Sequence, residues 1–132
     1  MITGLAHACF ITPDLTRAVR FYHEQLGLPV AFEFLRDDGS RFGVYFKVGH
    51  RTFIEVFAGQ TDARADKQTY RHICLEVDDL PATVETLRDR GVEVSAPMLG
   101  EDQSWQAWIT DPDGNRIELH AYTAQSWQTP HL

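Results

Sequence analysis

The chain has 132 residues, 43% of them hydrophobic and 23% charged, enough for one sizeable core or two small halves that share one, and without the bias of a disordered sequence. Its 12 basic and 19 acidic residues leave a formal charge of −7, the opposite of what a surface built to grip phosphate backbones carries, so nucleic acid is not an expected partner. No apolar run approaches the ~18 residues of a membrane span. "MITGLAHACF" lacks the basic start and long apolar centre of a secretory signal, and two cysteines make no disulfide framework. A cytoplasmic protein that touches no membrane is expected, with Cys9 and Cys74 as small buried residues.

In chain order, "HACFIT" alternates as a strand does. Asp14 then caps a helix whose apolar positions Leu15, Ala18, Val19, Tyr22 and Leu26 share one face and which ends at Gly27. Three candidate strands follow, "PVAFEFLR", "RFGVYFKV" and "RTFIEVF", and then a polar, turn-rich stretch from Ala58 to Thr69. The next strand places His72, Cys74 and Glu76 on one face and Ile73, Leu75 and Val77 on the other. Asp79 opens a second helix with Leu80, Val84 and Leu87 on its apolar face and Gly91 at its end. "VEVSAPM", "SWQAWIT" and "NRIELHAY" complete the chain's strands, the last two joined by a hairpin turn at Asp111-Pro112-Asp113-Gly114.

The two series are one series written twice. Shifted by about 65 positions, "HACFITPDLTRAV" lies over "HICLEVDDLPATV", matching His7 to His72, Cys9 to Cys74 and Asp14 to Asp79. The last strands, "FIEVF" and "RIELH", match Glu55 to Glu118 at an offset shorter by about two residues, a loop difference. The expected organisation is a βαβββ module over 1–58, a linker over 59–69, a second βαβββ module over 70–123 and a tail over 124–132. The fold class is α+β, with the two modules forming a curved, incompletely closed sheet around a cavity.

A lone histidine on a strand is ordinarily a half-exposed or hydrogen-bonded residue. Here each copy supplies one histidine on its first strand and one glutamate on its last, on the face away from the helix, and an approximate two-fold axis between the copies would bring all four together. Two imidazoles and two carboxylates make a donor set of intermediate hardness, suited to one divalent ion: nickel or zinc, with iron or manganese as alternatives. Without a cation, two buried glutamates facing each other would repel and take up protons. His120 lies two residues beyond Glu118 on the same strand face and is placed at the cavity wall or its rim.

The duplicated module, the histidine and Asp-Leu at the start of each half, and "DPDGNRIEL" near the C-terminus resemble the vicinal oxygen chelate superfamily, over roughly residues 4 to 123. That superfamily includes glyoxalase I, extradiol dioxygenases, fosfomycin resistance enzymes and metal-free bleomycin-binding proteins. The resemblance implies His7, Glu55, His72 and Glu118 as metal ligands, in the pattern of glyoxalase I. It also implies a lyase or isomerase acting on a small oxygenated substrate through a metal-stabilised enediolate, with Glu118 as the base and Glu55 as its mirror-related partner. A homodimer is expected, since family members pair modules within one chain or across two.

The same resemblance argues against strict glutathione dependence. Bacterial glyoxalase I carries an arginine four residues after the first histidine and an asparagine four after the first glutamate, where this chain has Ile11 and Gly59. Tyr45, Phe53, Phe57, Trp108 and His120 on the ligand-bearing face are candidate substrate contacts. An extradiol-type dioxygenase and a drug- or metabolite-binding resistance protein are the alternative readings.

Overall fold

The computed structural model describes residues 1–62 and 69–132, so most of the expected linker lies outside the described residues. The chain divides into two compact units, Met1–Arg64 and Ala65–Leu132. Among the described residues no helix is long and apolar enough to cross a membrane.

The first unit runs β1 (His7–Thr12), α1 (Leu15–Val19), β2 (Val30–Leu35), β3 (Arg41–Lys47) and β4 (Phe53–Ala58). Its mixed sheet has the order β1-β4-β3-β2, with β1 and β4 parallel and the other neighbours antiparallel. The second unit runs β5 (Ile73–Glu76), α2 (Leu80–Asp89), β6 (Met98–Leu99), β7 (Trp105–Thr110) and β8 (Arg116–Ala121), in the equivalent order β5-β8-β7-β6. The shared topology is what a duplicated sequence demands. In both units the cysteine of the first strand stands opposite the glutamate of the last, Cys9 against Glu55 and Cys74 against Glu118.

Each helix starts as its sequence dictates. The Asp14 carboxylate accepts from the Arg17 amide and the Asp79 carboxylate from the Ala82 amide, both at 2.9 Å, satisfying amides that the first turn leaves without a partner. Gly27 and Gly91 end the helices at φ 76° and 78°, conformations a side chain would resist. The second helix buries Leu80, Val84 and Leu87 as its periodicity predicts.

The first helix departs from its predicted face. After Val19 the chain winds on as a π-helix over Arg20–Gln25, with the Leu26 amide donating to the Phe21 carbonyl. The wider turn brings the consecutive rings of Phe21 and Tyr22 to the core, at 4% and 1% exposure, whereas Leu15, Val19 and Leu26 are only half buried. A 3.6-residue template has no place for Phe21.

The predicted strand at 92–98 is also corrected: only Met98–Leu99 pairs as β6. The Ser95 amide donates to the Trp108 carbonyl at 3.0 Å, but the return bond from the Trp108 amide goes to the Ser95 hydroxyl at 2.9 Å, and Pro97 has no amide to give. A side chain has taken the ladder's place. The Asp-Pro-Asp-Gly turn does form as predicted: the Asp111 carboxylate accepts from the amides of Asp113 and Asn115 and from the Asn115 side chain, at 2.8 to 3.0 Å.

The helix-covered face of the first sheet is packed with Val44, Phe46, Ile54 and Val56, and that of the second with Ala107, Ile109, Ile117 and Leu119, each 3% exposed or less. The opposite face of the first sheet carries aromatic rings. Gly43 on β3 stands opposite both Phe57 and Phe34, whose ring centroids are 5.0 Å apart. A Cβ at Gly43 would overlap the Phe57 ring and stand 3.0 Å from Phe34 Cδ2. Gly-to-Ala in a strand ordinarily stabilises; Gly43→Ala should instead lower stability by about 1–3 kcal/mol through overpacking, read as a drop in the thermal midpoint.

Candidate metal site in two halves

On the face away from the helix, each unit brings its histidine to its glutamate. His7, at the start of β1, places Nε2 3.3 Å from Glu55 Oε1, and His72, one residue before β5, places Nε2 3.1 Å from Glu118 Oε2. The parallel pairing of first and last strands causes this, because it sets the histidine one side-chain repeat along from the residue opposite the glutamate. The two carboxylates are largely buried, with side chains 15% and 11% exposed, while the imidazoles are more open at 42% and 34%. Donor atoms bound at right angles to one first-row cation stand about 3 Å apart. Each pair offers two donor atoms at a spacing compatible with a divalent cation, a spacing that a histidine–carboxylate hydrogen bond shares.

The surroundings of the two pairs differ. In the first unit the Tyr45 hydroxyl is hydrogen-bonded to His7 Nδ1 at 3.0 Å, turning Nε2 toward Glu55. In the second, the matching Trp108 sets its ring at 83° to the His72 imidazole, centroids 4.8 Å apart, with the Arg116 guanidinium 4.2 Å from the Trp108 ring centre. The two expected substrate contacts thus orient the histidines. Phe53 packs against Tyr45 at 5.3 Å and beneath the Lys47 ammonium, and Phe57 closes on Phe34. Because a histidine ligand is held through its second nitrogen, Tyr45→Phe should weaken metal binding roughly tenfold, measurable by competition with a chromogenic chelator.

One row further along the sheets the contrast sharpens. In the first unit the row reads Ile11, Phe57, Gly43, Phe34; in the second it reads Glu76, His120, Gln106, Met98. His120 is buried at 7% exposure. Its Nδ1 donates to Glu118 Oε1 at 3.1 Å, and its Nε2 lies 3.9 Å from Asp102 Oδ2. Cys74, Glu118, Asp102, Gln106, His120, Tyr122 and Gln128 are among the residues lining a cavity of about 440 Å³ within this unit.

The cysteines are a correction. Both are exposed, on the glutamate-bearing face rather than in the core. Partial burial of the sulfur, followed by a hydrogen bond to Glu55 and its charge, pushes the Cys9 thiol up to about 11. Cys74 is pushed up to about 12 by burial and the charges of Glu118, Asp102 and Glu76. They are neutral thiols at physiological pH, hence poor nucleophiles. Cys74, Glu118 and His120 also offer three ligand atoms within 4.8 Å of one another. Sequence reasoning missed Asp102 and Gln128; they lie in a loop and the tail, with no periodicity to mark them.

Two tandem α+β modules of identical strand order, each presenting a histidine beside a glutamate on the face away from its helix, define a duplicated fold. The chain belongs to the glyoxalase/bleomycin resistance protein/dioxygenase superfamily, whose family model matches residues 4–119. It is similar to the metallothiol transferase FosB of Staphylococcus epidermidis, with 28% identity over 127 residues covering 92% of this chain and 84% of that protein. It is also similar to the probable lactoylglutathione lyase of Synechocystis, with 30% identity over 122 residues covering 87% and 92% respectively. Among solved structures, the antibiotic-binding protein TnmS3 of a Streptomyces species superposes with a TM-score of 0.74 at 25% identity, covering 92% of this chain and 98% of that one.

Proposed function

We propose that the chain is a metal-dependent isomerase or lyase of the glyoxalase type, with His7, Glu55, His72 and Glu118 holding one divalent cation, nickel or zinc. The observation that carries this reading is the recurrence in both modules of a histidine Nε2 within 3.3 Å of a glutamate oxygen, at positions matched by the repeat. A cation bound there supplies a Lewis acid for two oxygens on neighbouring carbons. The residues do the rest. One glutamate takes the proton from the carbon beside the carbonyl and returns it to the neighbouring atom, and partial burial keeps that carboxylate away from bulk water. The second carboxylate distinguishes this donor set from the two-histidine, one-carboxylate arrangement of an oxygen-activating site.

The substrate side of the first module is apolar. Ile11 and Gly59, where glutathione-binding polar groups would be expected, lie against each other: a Cβ at Gly59 would meet Ile11 Cγ2 at 2.8 Å. Ile11 is itself 42% exposed, and Phe32 stacks on Tyr45 with centroids 4.6 Å apart. A small oxygenated substrate with an apolar or aromatic group suits this face better than a charged thiol peptide.

Thiol transfer to an epoxide such as fosfomycin is the second reading, favoured by the similarity to FosB. Turnover with and without added metal decides between them. Proton exchange or isomerisation of an aromatic α-hydroxyketone, with no thiol requirement, is expected; metal-dependent consumption of fosfomycin and thiol instead would make the chain a transferase.

The protein is also proposed to be a homodimer. Among the described residues each four-stranded sheet ends in strands that pair on one side only, β1 and β2 in the first and β5 and β6 in the second, edges that invite a partner. Light scattering should give about twice the chain mass of 15.1 kDa.

A further inference from the structure

We propose that the second unit carries a separate binding site for an organic cation, a substituted ammonium ion with an aromatic or branched apolar body, between the start of α2 and the β6–β7 edge of its sheet. The site lies on the helix-covered side: Trp105 stands opposite Ala121, and by alternation both follow the rows of Ala107 and Leu119 that face the helix. It does not depend on the reading of the histidine–glutamate pairs as metal ligands.

A cavity of about 400 Å³ lies there, within the range of small-molecule sites. Leu80 and Ala121 are its most buried walls, at 1% and 9% exposure, and Pro81, Pro97, Trp105 and Tyr122 complete its apolar lining. Trp105 is 45% exposed, and among the described residues its indole meets no other ring and no cation. The charged members of the lining are Asp78 and Asp79. Asp78 Oδ1 accepts from the Asp79 amide and Asp79 Oδ1 from the Ala82 amide, both at 2.9 Å, which leaves the second oxygen of each carboxylate for a ligand. The N-terminus of a helix alone favours an anion, with about half a positive charge. Two full negative charges beside it reverse that preference.

The first unit closes the matching place with its own residues. Phe42 corresponds to Trp105 at the offset that matches Tyr45 to Trp108 and Glu55 to Glu118. Its half-buried ring stands 5.8 Å from that of Phe34 and 6.1 Å from that of Phe57, and the Arg36 guanidinium sits 5.2 Å from its centre. Phe42 thus has an internal cation where Trp105 has none, and indole is the stronger cation acceptor of the two rings. The charge distribution agrees. The first unit holds seven acidic and seven basic residues, and the second holds twelve acidic and five basic, so the whole net charge of −7 resides where the cavity is. An ammonium ion is drawn to that unit, set against the Asp78 and Asp79 carboxylates, and covered by the open face of Trp105.

Benzyltrimethylammonium, which cannot coordinate a metal, is the probe, and the indole N–H resonance of Trp105 in the full chain is the readout, assigned by its disappearance in Trp105→Leu. The probe should shift that resonance saturably, while benzyl alcohol and phenylacetate bind there at least about tenfold more weakly. Asparagine caps a helix as well as aspartate does, so Asp78→Asn with Asp79→Asn removes both charges and keeps the fold; it should weaken binding of the cation about tenfold and leave that of benzyl alcohol unchanged. Equal affinity for the cation in the double variant, or phenylacetate binding at Trp105 as tightly as the cation, would overturn the proposal. So would the absence of a saturable shift at Trp105, or a Trp105 resonance that broadens with protein concentration alone, which would make a second copy of the chain the occupant.

Discussion

His72→Ala should leave the purified protein without stoichiometric metal and abolish metal-dependent turnover. The imidazole Nε2 is 3.1 Å from Glu118 Oε2, on a ring 34% exposed, so its removal opens the site to water without carving a core cavity. The fold should survive. What disappears is the stabilisation a bound ion adds, about 2.7 kcal/mol when free metal is a hundred times its dissociation constant. For a domain of this size that corresponds to a midpoint shift of roughly 10 °C. Wild type should therefore melt higher with added nickel or zinc than without, and His72→Ala should show the same midpoint in both. His7→Ala should behave alike if the two pairs serve one ion.

The second large effect concerns glutathione. Activity on the hemithioacetal of glutathione and methylglyoxal should be lower by about a hundredfold or more than on a small substrate lacking the peptide. A peptide carboxylate brought against Ile11 and Gly59 finds no donor, and an unmet buried charge costs a few kcal/mol in the transition-state complex. The close approach of Gly59 to Ile11 Cγ2 also means that a side chain introduced at 59 must first shift Ile11. Comparison of kcat/KM for the two substrates measures the difference; equal values would show that other residues recognise the peptide.

Much of this architecture was legible because duplication writes each feature twice. The acidic N-caps at Asp14 and Asp79, the closing glycines and the strand alternation all follow from local chemistry, and the offset of the two histidine–glutamate pairs brought them to attention as candidates. What escaped has a common cause. The π-helix that buries Phe21 beside Tyr22 changes the period on which face prediction depends. The shortened β6 follows from one hydroxyl, that of Ser95, taking a carbonyl's place. The line from Gln128 through Asp102 to His120 joins a tail, a loop and a strand, none of which signals the others by spacing. Tyr45 sits 38 residues from His7, yet its register opposite Glu55 was the available clue. The cysteines read as core because small residues in an apolar strand usually are, but their alternation already placed them with the glutamates.

The central claim, that the four residues serve one ion, is tested most directly by elemental analysis of the protein after saturation with nickel or zinc and removal of excess. One ion per chain is the expected result, falling to none in the His7→Ala and His72→Ala double variant. Two ions per chain, each lost with its own histidine alone, or full occupancy in the double variant, would contradict it.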